Sequence, residues 1–215
     1  MMKTPSDTLA ERYNQGIRLR QKIRRQKHAD LLNPPNRDPV AILAAGDRTR
    51  VPELIPVRYE RMLVSPFTFL RGAAAVMADD LRHQPTAGIS VQACGDCHLM
   101  NFGAFATPEE NILFDINDFD ETLPEVDFTV DLKRLAASVA VAAIAANFST
   151  KQARATAAGA VEAYRTRIRA LAKLSPLEVW HSRIELVHEI KNIGSRAAAE
   201  IACHPHQSWQ EARTG

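Results

Sequence analysis

The chain has 215 residues, 46% of them hydrophobic and 24% charged, with a formal net charge of +2. That supplies a real core and leaves room for one large domain or two small ones. No apolar run is long enough to span a bilayer, no apolar segment of a secretory signal follows the basic start, and three cysteines, an odd count, argue against a disulfide framework. A reducing, cytoplasmic setting is the expectation.

Residues 1–27 hold eight Lys or Arg against two Asp or Glu, about +6, which leaves about −4 for the rest. Residues 1–33 read as a charged helix with Ile17, Ile23, Leu31 and Leu32 as sparse apolar positions. Asn33-Pro34-Pro35-Asn36-Arg37-Asp38-Pro39 breaks it. The chain therefore divides into a basic helical arm with a Pro-rich linker, 1–39, and a main region, 40–215. The arm has no interleaved aromatics and no strong apolar face, which favours a solvated arm over a nucleic-acid or membrane surface.

Residues 40–83 read as a loop carrying Pro52 and Pro56, then a helix that Ser65-Pro66 starts. Phe69, Ala73, Val76, Met77 and Leu81 form its apolar stripe. Arg71 on that helix has two readings, a clamp for phosphate or an ion-pair partner for a downstream acid, and the structural pairing is the expectation. Residues 88–120 are the β part. Ile89, Val91 and Ala93 alternate into a loop at Asp96, Phe102 to Phe105 leads to a turn at Thr107-Pro108-Glu109-Glu110, and Asn111 to Phe119 returns. The period of two puts Ile112, Phe114, Ile116 and Asp118 on one face, with Asp115 opposite and exposed.

Residues 128–203 read as helices. Thr129 caps the first, with Leu132, Leu135, Ala136, Val139 and Ala143 on one side. Ser149 and Gln152 make a capping box for the second. Ser175-Pro176 starts a third, with Trp180, Ile184 and Val187 facing in, while His181, His188 and His206 read as surface residues. Helix, hairpin, then helices gives the α+β class.

The chemistry concentrates in one stretch. From His83 to Leu132 there is no Lys or Arg, yet there are ten Asp and Glu residues. Such a concentration is costly to fold unless water or a cation balances it. Within it Asp96 stands five residues before Asn101, and Asp118 follows the hairpin. Phosphoryl transfer from a nucleotide needs these groups: a carboxylate near the attacking hydroxyl, and a carboxamide plus a carboxylate holding magnesium. Cys94-x-x-Cys97 offers a competing zinc or redox chemistry, to which Cys203-His204-Pro205-His206 could add ligands. A single C-x-x-C, followed by a hairpin and not a helix, favours two small buried residues that shape the loop.

The Asp96-to-Asn101 spacing, the hairpin and Asn117-Asp118-Phe119 resemble the catalytic and metal-binding loops of protein-kinase-like enzymes such as the aminoglycoside phosphotransferases, with Cys94 in place of the leading His. More closely, the chain resembles the bacterial domain of unknown function family 2252. Pro56-Val57-Arg58-Tyr59-Glu60-Arg61-Met62, Ser65-Pro66-Phe67, Leu70-Arg71-Gly72, the Gly95-to-Gly103 loop, Asn117-to-Thr122 and Asp131-Leu132-Lys133-Arg134-Leu135 carry that resemblance. Members of that family are longer, so the chain looks like an N-terminal half.

The resemblance implies a partial protein-kinase-like fold, a catalytic-loop hairpin packed on a largely helical lobe. Asp96 would be the base that orients an acceptor hydroxyl, and Asn101 and Asp118 would hold Mg²⁺ against the phosphates of ATP. Asp131 would brace the loop through backbone N–H groups; His98 and Arg71 are further candidates for support of the loop, although the kinase pattern assigns no role to His98. No Gly-rich phosphate loop and no strand lysine precede Asp96; in the family that segment comes later in the chain. The expected function is the catalytic and Mg-binding half of a phosphotransferase of unknown acceptor, inactive as this isolated chain. The alternatives are a non-catalytic, pseudokinase-like binding module and, behind it, a C-x-x-C zinc or redox protein.

Overall fold

The computed structural model describes residues 8–32, 36–186 and 189–190. The chain forms two compact units, Met1–Asn101 with Asp118–Thr166, and Phe102–Asn117 with Arg167–Gly215.

In the first unit, α1 (Leu9–Lys22) opens with a capping box in which Thr8 and Glu11 satisfy each other's backbone N–H groups. It stops short of the span expected from the charge pattern, because Ile23 is already extended (φ −126°, ψ 108°). Arg18 with Lys22 and Arg20 with Arg24 place like charges four residues apart, which weakens a helix there. A short 3₁₀ turn, Arg25–Ala29, follows.

Two helices form where a loop through Pro52 and Pro56 was expected: α2 (Pro39–Asp47) and α3 (Ile55–Met62). Asp38 accepts the N–H groups of Val40 and Ala41 at 3.1 and 3.0 Å, and Pro39 takes the first helical turn. Pro56 opens α3 in the same way. A proline in the first turn loses nothing, since its missing N–H has no helical partner there. Ser65 and Thr68 cap α4 (Pro66–Gly72). The helix anticipated from the apolar stripe is divided at Ala73 (φ −113°, ψ 34°), and α5 (Ala74–Arg82) continues the stripe. Arg58 Nη2 claims the Gly72 carbonyl at 2.5 Å, a group that an unbroken helix would offer to Val76. Leu43, Met62, Ala73 and Val76 bury one another, with Ile42 and Tyr59 packed against them.

In the same unit β1 (Ser90–Ala93) pairs antiparallel with β4 (Leu123–Asp127), Ser90 opposite Asp127 and Val91 opposite Val126. Pro124 and the positive φ of Glu125 (59°) hide β4 from a sequence reading. The helix α6 (Thr129–Ala145) follows Phe128, which makes no side-chain cap; Asp127 Oδ1, just before it, accepts the Thr129 N–H at 3.0 Å and also its hydroxyl, so Thr129 is the first helical residue and not the cap expected of it. Thr129, Arg134, Ser138, Val139 and Ala143 are the buried positions of α6. Ser149 and Gln152 form the anticipated capping box ahead of α7 (Thr150–Leu171).

In the second unit β2 (Phe102–Ala106) and β3 (Ile112–Ile116) form the expected hairpin, Phe102 opposite Ile116 and Ala106 opposite Ile112. Phe102 stacks on Phe114 with ring centroids 6.1 Å apart. The strand ends at Ile116, so the alternation does not carry on to Asp118, which is exposed. The helix α8 (Pro176–Trp180) follows a Ser175–Glu178 capping box. It stops at Trp180, which is 84% exposed, so the helical spacing linking Trp180 to Ile184 as an inward face is not realised. Phe114 N–H donates instead to the Ile184 carbonyl at 2.9 Å, a strand-like contact. Val187, His188, Cys203, His204 and His206 lie outside the described residues. The two small antiparallel sheets among helices make the protein α+β. No helix among the described residues is long and apolar enough to cross a membrane.

Candidate functional site

The loop from Cys94 to Asn101 lies in the first unit, between β1 and a 3₁₀ turn at Leu99–Asn101. Its bend depends on Gly95, at φ +88°. A side chain there would be strained, and its Cβ would run into the Glu121 carbonyl. Asp131, in the first turn of α6, holds the bend: Oδ2 accepts the Cys94 N–H at 2.8 Å and Oδ1 the Gly95 N–H at 3.0 Å. Two turns further along α6, the fully buried Ser138 accepts the Leu99 N–H at 2.9 Å and donates to the Leu135 carbonyl at 2.7 Å. The loop has no strand ladder of its own, so these side chains satisfy backbone donors that would otherwise be stranded.

Asn101 closes the arrangement. Its amide nitrogen donates to the carbonyls of Asp96 and Asp118, at 3.1 and 3.0 Å, and its oxygen accepts the Asp118 N–H at 3.0 Å. The residue is buried. It therefore ties the segment that carries Asp96 to the segment that carries Asp118. Cys94 Sγ sits 3.6 Å from both the Asp118 carbonyl and the Asn101 amide nitrogen. Cys94 and Cys97 are buried free thiols. Burial raises both thiol pKa values, that of Cys97 to about 12. A thiol kept protonated is a poor nucleophile.

The Asp96 carboxylate meets Arg134, whose Nε and Nη2 both reach Oδ1, at 2.8 and 2.7 Å. His98 is buried, with Nε2 3.6 Å from Asp96 Oδ2 and an Nδ1 that has no partner among the described residues. Desolvation lowers the His98 pKa; the Asp96 charge opposes that, and the charges of Arg134 and Arg71 reinforce it. Asp118 is exposed, and its Oδ1 accepts the Asp120 N–H at 3.0 Å. Glu121 has its pKa raised, first by desolvation and then by the charges of Asp96 and Asp118, which places these carboxylates in one shared field. Among the described residues, no three His, Cys, Asp or Glu side chains converge as a ready metal cage.

Arg71 is exposed and pairs with no carboxylate among the described residues. The arginine that reaches an acid of the loop is Arg134. The sequence held a signal for it: Arg134 follows Asp131 by three residues on α6, so the two stand on one helix face.

The fold and the site define an α+β protein whose acidic loop is fixed by buried polar side chains. The chain belongs to the family described as an uncharacterized protein conserved in bacteria (DUF2252), whose model matches residues 50–213. No curated protein and no solved structure gives a significant match.

Proposed function

We propose that this chain carries the catalytic and magnesium-holding half of an ATP-dependent, kinase-like phosphotransferase. The observation that carries the reading is the Asn101 clasp, which joins the Asp96 loop to Asp118 through three hydrogen bonds of 3.0–3.1 Å. The backbone segments that bear a carboxylate for the acceptor hydroxyl and a carboxylate for a cation are thereby tied to one buried side chain. Asp96 orients the acceptor hydroxyl. Asp118 is the principal ligand, since its Oδ2 has no hydrogen bond among the described residues. Asn101 adds the second lone pair of its oxygen. Magnesium is commonly held by one or two carboxylates together with substrate phosphates, so a sparse protein donor set suits it only when nucleotide is present. When bound, the ion would neutralise charge on the transferred phosphoryl group.

A second reading, a non-catalytic pseudokinase-like module, draws on the same carboxamide. All of its donors and one of its acceptor positions serve the backbone. The two readings separate on metal and turnover. Mg²⁺ with ATP is expected to raise the melting temperature of this chain, and Asp118→Asn to abolish the rise. In the whole gene product, Asp96→Ala is expected to lower phosphotransfer about 10²–10⁴-fold while leaving nucleotide binding in place. An unchanged melting temperature with both Mg²⁺ and ATP, or full turnover in Asp96→Ala, overturns the phosphotransferase assignment.

A further inference from the structure

Asp96 is held from one side only. Both Arg134 nitrogens that reach it meet Oδ1. Oδ2 accepts no hydrogen bond among the described residues, and His98 Nε2, at 3.6 Å, lies beyond hydrogen-bond reach. Arg134 is itself fastened elsewhere. Its side chain is 3% exposed, Nη2 also donates to the Leu70 carbonyl of α4 at 2.6 Å, and Nη1 lies 3.6 Å from Met77 Sδ on α5. A guanidinium is a rigid planar fork, so fastening it to α4, α5 and α6 fixes the direction of every N–H it presents. The carboxylate cannot turn about its own bond to Cβ without losing the charge-assisted hydrogen bond from Nε and the ion-pair contact with Nη2.

We propose that Arg134 is a positioning residue: it occupies Oδ1 of Asp96, leaves Oδ2 as the one oxygen offered to an acceptor hydroxyl, and ties that direction to α4 and α5. The chemical consequence rests on the phosphotransferase reading; the tether itself does not. A role limited to charge neutralisation makes a different demand, because any buried cation meets it. A positioning role needs the fork.

The test has two arms. In this chain, the Arg134 Nε–H gives a nitrogen-15-resolved resonance that Asp96→Asn is expected to move while backbone amides away from the loop stay in place. A resonance that does not move overturns the proposal. In the whole gene product, Arg134→Lys keeps the charge and loses the fork, and its kcat is expected to fall about 10²-fold, the scale on which small misplacements act. The acceptor KM is expected to stay within about twofold, since the interaction lost serves the transition state and not ground-state binding. Added guanidinium is expected to restore part of the loss in Arg134→Ala. Wild-type kcat in Arg134→Lys overturns the proposal, because charge alone then suffices. If the wild-type product transfers no phosphate at all, the phosphotransferase reading falls, and the resonance arm still decides whether Arg134 holds Asp96.

Discussion

The α2–α5 cluster and the Asp96 loop, both in the first unit, bury their side chains by opposite means. Leu43, Met62, Ala73 and Val76 are held by apolar contact. Such contact is non-directional, so another side chain of similar volume serves nearly as well. The buried residues of the loop and of the helix beneath it include Asn101, His98, Arg134 and Ser138. A buried polar group is tolerated only against particular partners, in particular directions. The difference shows where the molecule has invested precision. Asp131, Ser138, Asn101 and Arg134 each secure a different part of the loop, so its carboxylates are presented from a backbone that cannot readily rearrange. A site that acts through placed charge needs such a frame.

The sharpest way to break this comparison is Asp131→Ala. It strands the N–H groups of the buried Cys94 and the half-buried Gly95, at about 1–3 kcal/mol for each donor, so urea unfolding is expected to show a loss of about 2–6 kcal/mol. A loss below about 1 kcal/mol, the size of a single ordinary hydrogen bond, would mean that the loop holds its bend without Asp131. Met62→Leu tests the other side. A volume-conserving exchange in the apolar cluster is expected to cost less than about 1.5 kcal/mol in the same experiment. A larger loss would show that the cluster too depends on specific shape, for instance on how the Met62 side chain lies against Gly72.

The smallest effect concerns Glu121. Desolvation first, then the neighbouring Asp96 and Asp118, raises its folded pKa above the ordinary 4.5. The folded state therefore holds the Glu121 proton more tightly than the unfolded state does. Its contribution turns unfavourable as pH rises through 4.5 and stays so above the folded value. Glu121→Gln is expected to raise the melting temperature at pH 7 slightly, by less than about 1 kcal/mol of stability since the group is partly solvated. It is also expected to flatten the slope of stability with pH above 4.5. An unchanged slope would remove Glu121 from the shared field of the loop.

What could be read from sequence follows the range of the interaction. The helix starts at Ser65-Pro66, Ser149 with Gln152, and Ser175-Pro176 were legible, because a cap is made by residues three apart. The hairpin Phe102–Ile116 was legible from its turn and its alternation, although its second strand was read too long. The residues Asp96, Asn101 and Asp118 stood out by charge and spacing, and Asp131 through the family resemblance. The helices α2 and α3 were missed because prolines that open a helix look the same in sequence as prolines that prevent one.

By itself, then, the sequence determined the α+β class, the hairpin, the starts of α4, α7 and α8 and the acidic character of the loop. Only the tertiary structure decided that β4 pairs with β1, that the apolar stripe splits at Ala73, and that Arg134, not Arg71, takes the Asp96 carboxylate. Capping and alternation are settled among neighbours along the chain, whereas a strand partner or a buried counter-charge is selected by what the rest of the fold brings within about 3 Å of a donor.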